Sequence, residues 1–344
     1  KQKGKRKEKL VLVNVPSQEL GRFLILPSAK NRTDLLFIDD ALRIGLPAFF
    51  KGFKLTACHS VKLSRDADLY LDEEFAETMA DKVRRSLRKR QTGVPARFLY
   101  DSAMPRSMVK AVRELLNLKK PELVAGGRYH HFSDLMKLPV SGRAELRDKP
   151  LLPIAHPQFN PNRDPFGTLR RRDVLLHFPY HDFDNVVKLV QKAARDPLVK
   201  RLAITLYRVA EDSRICEALI EAVGRGKKVL VFVEVQARFD ERSNLYWGEA
   251  LEKAGARVIY SYEHLKVHCK LLLIERREGR GLKRYAYLGT GNFNERTSRL
   301  YTDMGLLTAH EGLTREVSEV FTHLQDQKHR PKLHHLLMAP LDLR

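Results

Sequence analysis

The alternation of short apolar runs with helical patterns after residue 170 restricts the fold of this chain more than any other feature of its sequence. Residues 201–207 and 228–235 are mostly apolar, and a helical pattern follows each of them. Strands of this kind are buried on both faces, as they are when helices cover both sides of a sheet. We therefore predict a layered α/β domain. The predicted strands are 173–178, 201–207, 228–235, 257–260, 267–274, 284–288 and 304–308, and the predicted helices are 184–194, 213–223 and 244–254.

The first 150 residues mix strand and helix patterns without this regular alternation. One helical pattern has an acidic first turn and basic last residues, and another has proline in its first turn. Together the elements indicate an α+β domain. The predicted elements are strands at 54–62 and 96–100 and helices at 72–90 and 105–116.

A proline-rich stretch separates the two regions. Five prolines fall within residues 150–165. Because proline lacks a backbone donor and restricts the residue before it, we predict a linker without regular structure over 150–167. The chain then divides into an α+β head domain at 1–155 and an α/β domain at 156–344.

The chain is strongly basic. It carries 63 Lys and Arg against 42 Asp and Glu, a formal net charge of +21, and the excess is not confined to the basic residues 1–9. A field of this sign favours polyanionic partners, which include nucleic acid, an acidic membrane surface and polyphosphate. A basic surface that only keeps the protein in solution is the alternative.

The apolar runs and the cysteines exclude further classes. No apolar run approaches the roughly 20 residues of a membrane-spanning helix, so no transmembrane segment is expected. The three cysteines Cys58, Cys216 and Cys269 form no C-x-x-C pair, which argues against a disulfide scaffold and a cysteine-built zinc site. No signal-peptide pattern opens the sequence. We expect a cytoplasmic protein and leave peripheral membrane association open.

The segment at 264–270 contains two H-x-K patterns, at 264–266 and 268–270. Residues i and i+2 of a strand face the same side. His268 and Lys270 lie at the start of the predicted strand and are therefore expected to converge on one ligand. His264 and Lys266 are placed in the turn that leads into it.

Other polar groups follow neighbouring predicted strands. Arg208 comes directly after one and Arg238 just past another, and ligands of α/β folds gather at the carboxyl ends of strands. The segment Gly-Thr-Gly-Asn-Phe-Asn at 289–294 follows another strand. Its glycines allow the backbone to approach an anion, and the amides of Asn292 and Asn294 can donate to phosphoryl oxygens.

These residue types suit phosphoryl transfer. A neutral imidazole, the main form at pH 7, has a lone pair that can attack phosphorus. Arginine binds phosphate through two N–H groups, while lysine acts as a compact charge. The chain has no G-x-x-x-x-G-K-[ST] string, and residues 289–294 do not complete G-x-G-x-x-G. A P-loop or protein-kinase site is therefore excluded.

Eight strings distributed along most of the chain form a specific set. They are Phe-Phe-Lys-Gly-Phe at 49–53, Gly-Gly-Arg-Tyr-His at 126–130, Tyr-His-Asp-Phe at 180–183, Ile-Thr-Leu-Tyr-Arg-Val at 204–209, Gln-Ala-Arg-Phe-Asp-Glu at 236–241, Leu-Lys-Val-His-Cys-Lys-Leu at 265–271, Gly-Thr-Gly-Asn-Phe-Asn-Glu at 289–295 and Tyr-Thr-Asp at 301–303. An H-x-K followed by a G-x-x-N segment resembles the phospholipase D superfamily. Within it, the whole set resembles the bacterial polyphosphate kinases.

The resemblance implies a fold and an activity. The fold would be a phospholipase D-like layered α/β catalytic domain preceded by an α+β head domain. The activity would be reversible transfer of the γ-phosphate of ATP to inorganic polyphosphate, with His268 as the nucleophile that becomes phosphohistidine. Mg²⁺ is implied as cofactor, with ATP as substrate.

The resemblance also implies roles for the other site residues. Arg208 and Arg238 match the arginines of the family's magnesium–phosphate site, and we interpret them as phosphate clamps beside the ion. Tyr301 matches the tyrosine that contacts ATP. The residues at positions expected to bind phosphoryl oxygens are Lys270, Asn292 and Asn294.

Two departures from the family pattern affect the prediction. The superfamily pattern H-x-K-x₄-D places Asp where this chain has Glu275. Polyphosphate kinases also depart from Asp there, which favours a kinase over a diesterase. The family enzymes carry a second phospholipase D-like domain with a second histidine after this region, so we expect the chain by itself to be inactive or impaired.

Two other functions stay open at this point. One is a phospholipase D-type phosphodiesterase, in which water accepts the phosphoryl group. The other is a non-catalytic polyanion-binding module, which charge alone would explain. A homo-oligomer is the expected assembly, and sequence-specific binding of nucleic acid is not expected.

Overall fold

A computed structural model describes residues 9–29, 32–65, 78–92, 95–140, 143–262 and 265–342. The chain forms two compact units, one of Lys1–Asp68 with Arg88–Pro150 and the other of Leu69–Leu87 with Leu151–Arg344. The predicted domain boundary at 155/156 stays a prediction. The basic residues 1–8 and His264, both part of the sequence predictions, lie outside the described residues.

The first unit is a small α+β body. Its elements are β1 (Phe23–Leu26), β2 (Asp34–Phe37), α1 (Ile38–Phe49), β3 (Val61–Arg65), β4 (Pro95–Asp101), α3 (Arg106–Leu115), β5 (Leu123–Gly126) and the end of α2 (Met79–Thr92), whose residues up to Leu87 belong to the second unit. Strands β1 and β2 pair antiparallel, while β4 lies between antiparallel β3 and parallel β5. Phe98, Val112 and Leu118 form the buried core. The α+β prediction is confirmed.

The second unit is built around one large mixed sheet. Its elements are α4 (Pro165–Arg171), β6 (Val174–Phe178), α5 (Asp184–Arg195), β7 (Val199–Leu206), α6 (Arg214–Gly224), β8 (Lys228–Val233), α7 (Glu241–Ala254), β9 (Arg257–Tyr260), β10 (Lys270–Glu278), β11 (Gly281–Gly289), β12 (Asp303–Thr308) and α8 (Glu311–Gln325). Over the described ranges the strand order is β6-β12-β11-β10-β7-β8-β9. Strands β7, β8 and β9 run parallel, and the other neighbours are antiparallel.

Helices cover both faces of this sheet. Successive residues of the central strands therefore alternate between two apolar cores. Leu202 and Ile204 of β7 pack in the core that includes α5, α6 and α7. Ala203 between them lies in the other core with Val317 and Phe321 of α8. This burial on two faces explains why the strands are continuous apolar runs in the sequence. The predicted layered α/β class is confirmed.

Two predictions in the region before the large sheet are wrong. The strand predicted at 54–62 has the alternating pattern, but only its last two residues pair with a neighbour, in β3. The linker predicted over 150–167 ends earlier, because α4 begins at Pro165. Proline suits the first turn of a helix, and the Asp164 side chain accepts a hydrogen bond from the Gly167 N–H at 2.8 Å.

The predicted helix at 72–90 is observed from Met79, and the first part of its range lies outside the described residues. The strand predicted at 267–274 begins at Lys270 and extends to Glu278. None of the helices in the described ranges combines the length and apolar character needed to cross a bilayer.

Five of the strand ends at one edge of the large sheet carry or adjoin the candidate site residues. Parallel β7 and β8 finish there at Leu206 and Val233, and β11 finishes there at Gly289. Antiparallel β10 and β12 begin there, at Lys270 and Asp303. The polar residues that follow or open these strands are thus brought to one edge.

Candidate active site

The imidazole of His268 lies at this edge, two residues before Lys270, which opens β10. His268 is exposed, and its ring meets the ring of Tyr207 edge-on, with centroids 4.6 Å apart and an interplanar angle of 84°. Desolvation of the part of the ring that neighbouring side chains cover, and then the positive charges of Lys270 and Arg208, lower the pKa of His268 below its ordinary value of 6.5. The neutral imidazole, which has a free lone pair, is therefore favoured at pH 7.

Lys270 is the buried cation of the site, with 4% of its surface exposed. Its ammonium group donates a hydrogen bond to the carbonyl oxygen of His268 and lies 5.0 Å from the centre of the Tyr207 ring. Burial lowers the pKa of Lys270 to about 8, partly opposed by the charge of Asp303. Its charge therefore depends on pH in the physiological range.

Arg208 brings a second cation to the same ring. Its guanidinium carbon lies 5.5 Å from the centre of the Tyr207 ring. Its Nη1 donates to the carbonyl oxygen of Arg238 at 2.9 Å and pairs with the carboxylate of Asp240. Arg208 is thereby linked to the loop that carries Arg238.

Arg238 itself is exposed and packs its guanidinium 5.2 Å from the ring centre of Phe239. Phe239 has φ +75°, a left-handed backbone conformation that a side chain rarely adopts. Such strain persists where surrounding contacts hold it. The loop after β8 is therefore bent sharply at the residue next to Arg238.

The glycine segment 289–294 allows close packing beside Lys270 on the β11 side of β10, opposite the side where β7 and β8 lie. Gly289 pairs with Gly305 across β11 and β12, and a Cβ at either position would lie within 2.6 Å of the Tyr287 ring. A Cβ at Gly291 would lie 2.5 Å from the Asp303 carboxylate. The glycines are therefore needed so that an aromatic ring and a carboxylate can fill the space beside the strand ends.

Asn292 and Asn294 differ in how their side chains are used. The buried Oδ1 of Asn292 has no hydrogen-bond partner in the part of the chain that the structure describes. The Oδ1 of Asn294 accepts from the backbone N–H groups of Arg296 and Thr297, at 3.0 and 3.1 Å, and so caps the short turn that follows. The role of both residues in phosphate binding stays a prediction.

Tyr301 lies beyond the short 3₁₀ turn Thr297–Arg299, with 64% of its surface exposed. Within the described residues its ring contacts no other aromatic ring. Its predicted contact with ATP stays a prediction. Glu275 lies five residues along β10 from Lys270, paired with Arg284 and Arg201.

Sequence reasoning did not single out four residues that shape the site. Tyr207 forms the aromatic surface that His268, Lys270 and Arg208 share. Thr205 donates to the carbonyl of Cys269 at 2.7 Å and accepts from the N–H of Leu271 at 3.0 Å, so it holds the backbone on both sides of Lys270. The other two are the buried polar residues Glu234 and Asn244. In the sequence, Glu234 is marked only by its position directly after an apolar strand, and Asn244 only by its position inside a helix.

Fold and site together define an α/β protein with a cationic, histidine-bearing site at its strand ends, of a kind suited to binding phosphoryl groups. A sequence profile for the polyphosphate kinase middle domain matches residues 1–138, and one for polyphosphate kinase C-terminal domain 1 matches residues 164–330. The chain belongs to the polyphosphate kinase family.

Individual relatives agree with this assignment. The polyphosphate kinase of Salmonella typhimurium is 42% identical over 341 residues, which are 97% of this chain and 50% of that protein. That of Vibrio cholerae is 40% identical over 98% of this chain and 49% of that protein. The crystal structure of polyphosphate kinase from Porphyromonas gingivalis superposes with a TM-score of 0.74 at 34% identity, covering 94% of this chain and 47% of that one. The chain thus spans about half the length of these relatives.

Proposed function

We propose that this protein transfers the γ-phosphoryl group of ATP to inorganic polyphosphate, reversibly, through a phosphohistidine at His268. The observation that supports this most is the meeting of His268, Lys270 and Arg208 on the ring of Tyr207. The relatives, which are named polyphosphate kinases, supply the class of substrate.

The reaction has two displacement steps at the same phosphorus. A ring nitrogen of His268 attacks the γ-phosphorus of ATP, an N–P bond forms, the bond to the β,γ-bridging oxygen breaks and ADP leaves. A terminal oxygen of polyphosphate then attacks that phosphorus, the N–P bond breaks and the chain is one unit longer. Run backwards, the same steps make ATP from ADP.

The cations of the site would stabilise charge on the transferred group. Lys270 is held within reach of the histidine by its own bond to the His268 carbonyl. Arg208 and Arg238 would bind the phosphates bidentately, and Asn292 and Asn294 would donate amide N–H groups. Positive groups placed in advance around the equatorial oxygens lower the barrier because they need not reorganise during reaction.

Tyr301 would contact ATP, since its exposed ring is open to stacking on the base. The net charge of +21 supports a polyanionic acceptor. A cytoplasmic location, a homo-oligomer and the impairment of the half-length chain stay predictions.

Magnesium would enter as part of the nucleotide substrate. Arginines do not ligate Mg²⁺, which takes oxygen ligands. No group of three or more His, Cys, Asp or Glu side chains that could hold a metal ion is found among the described residues. The residues present therefore fit a magnesium–ATP complex in which the phosphates carry the ion and Arg208 and Arg238 bind the same phosphates.

Intact-mass spectrometry after incubation with ATP and Mg²⁺ tests the proposal. We expect an acid-labile addition of one phosphoryl group, absent from His268→Ala and present in His329→Ala, a control at a histidine that follows α8 and pairs with Glu319. The measurement is made on this chain and on the full-length natural protein, because the relatives are twice as long.

The other two functions predict different results. A phosphodiesterase would hydrolyse phosphodiesters without a nucleotide. A polyanion-binding module would bind polyphosphate equally well after His268→Ala, with a steep salt dependence. Absence of the phosphoryl addition from the full-length protein would contradict the kinase proposal.

A further inference from the structure

Glu234 is a fully buried carboxylate at the centre of the site that the proposed mechanism does not use. It follows the last residue of β8 and has no exposed surface. Within the described residues no lysine or arginine forms a salt bridge with it, and burial raises its pKa above the ordinary value of 4.5. A buried carboxylate is costly unless hydrogen bonds compensate, so the groups that it holds explain its presence.

Its two oxygens hold two different loops. Oε2 accepts a hydrogen bond from the N–H of Val267 at 2.9 Å, and Val267 immediately precedes His268. Oε1 accepts from the N–H of Gln236 at 2.9 Å, two residues before Arg238. One rigid group therefore fixes the approach of the histidine segment and of the arginine loop.

Asn244 of α7 connects these two loops to the end of β7. Its Nδ2 donates to the carbonyl oxygens of Glu234 and Tyr207, both at 2.7 Å. Its Oδ1 accepts from the N–H of Val209 at 3.3 Å. The backbone on both sides of Arg208 is thus joined to the backbone of Glu234.

From this geometry we infer that Glu234 is a positioning residue, which sets the distance between the nucleophile His268 and the phosphate-binding Arg238 by holding both loops with one carboxylate. The inference rests on the proposed function. A carboxylate is suited to this task because both of its oxygens accept, and each faces a backbone donor. Glutamine could satisfy only one of the two donors, since its amide nitrogen is itself a donor.

The test compares Glu234→Gln with Glu316→Gln in the full-length natural protein. Glu316 is the matched control, because its carboxylate is also fully buried and accepts hydrogen bonds from backbone N–H groups, those of His334, His335 and Leu336, outside the site. Phosphohistidine formation in a single turnover is measured together with kcat, KM for ATP and Tm. Displacements of about 1 Å cost on the order of 10²-fold in rate.

We expect Glu234→Gln to slow phosphohistidine formation about 10- to 100-fold, with KM for ATP within about threefold of wild type. Glu316→Gln should leave the rate unchanged although it lowers Tm. Combined with Arg238→Ala, the Glu234→Gln effect should shrink, because one of the two groups that Glu234 positions has been removed. An unchanged rate in Glu234→Gln, or an equal loss of rate in Glu316→Gln, overturns the inference.

Amide hydrogen exchange separates this inference from the proposed function. In Glu234→Gln, exchange should rise in both the segment around Val267 and the segment around Gln236. If wild type forms no phosphohistidine, the proposed function fails, while this joint rise still supports the coupling of the two loops. Unchanged exchange in both segments overturns it.

Discussion

At the residue scale, the charge of Lys270 is a property of the site that changes with pH close to neutrality. The amine is buried beside His268 and Tyr207, and burial lowers its pKa to about 8. A buried ammonium group loses its charge at lower pH than an exposed one because desolvation penalises the charged form. The ammonium cation beside the His268 carbonyl is therefore present below about pH 8 and lost above it.

We accordingly predict that kcat for phosphoryl transfer falls as pH rises through about 8. The acid limb should lie below 6.5, because the pKa of His268, the proposed nucleophile, is lowered and its neutral form persists there. A pH–rate profile of wild type and Lys270→Arg measures this. Arginine keeps its charge at all accessible pH values. The kcat of Lys270→Arg should therefore show no fall near pH 8, although the larger side chain fits the buried position less well and lowers kcat overall. A fall at the same pH in both proteins would assign that limb to another group.

At the element scale, the apolar pattern predicted the strands of the large sheet, but it placed the start of β10 three residues too early. Val267 and Leu271 fit an apolar run, yet the N–H of Val267 bonds to Glu234 and the carbonyl of Cys269 bonds to Thr205. Side chains from distant strands replace the ladder there, which no local pattern can reveal.

The same limit applies to the candidate site. His268, Lys270 and Arg208 were predictable because reactive residue types follow or open strands that end at one edge of a sheet. Tyr207, Glu234 and Asn244 were not, because their importance arises from tertiary contacts. An aromatic residue at a strand end and an asparagine within a helix are ordinary features of a sequence.

Thr205 joins two elements, and its hydroxyl group supports a prediction at this scale. It bonds the backbone of β10 on both sides of Lys270. Thr205→Val keeps the shape but leaves a buried carbonyl and a buried N–H without partners, which costs about 1–3 kcal/mol each at most. We expect a lower free energy of unfolding in urea, together with slower phosphoryl transfer. Thr205→Ser, which keeps the hydroxyl, should lose much less, and equal losses in the two variants would contradict this role.

At the scale of the whole molecule, the chain that follows α8, the last helix of the second unit, folds back and bonds to that helix. The carboxylate of Glu316, fully buried in α8, accepts hydrogen bonds from the backbone N–H groups of His334, His335 and Leu336, at 2.8–2.9 Å. It also bonds to the ring of His335 at 2.8 Å. Leu333, Leu336 and Met338 then cover the core beneath α8. One carboxylate thus fixes the return of the chain over the sheet.

The acid sensitivity of global stability should follow from Glu316. The His335 side chain and these backbone N–H groups hold the pKa of its carboxyl at about 2, against an ordinary value of 4.5. A lowered pKa in the folded state gives stability that is fully present above pH 4.5 and is lost as the pH falls toward 2, here about 1–3 kcal/mol. Urea unfolding at pH 7 to 3 should therefore show wild type more stable than Glu316→Gln at pH 7, with a difference that narrows below pH 4.5. The control is Glu319→Gln, because the carboxylate of Glu319 is half-exposed beside His329. This substitution should lower the free energy of unfolding at pH 7 far less. A difference between wild type and Glu316→Gln that stays constant down to pH 3 would show that the carboxylate is not the group that closes the unit.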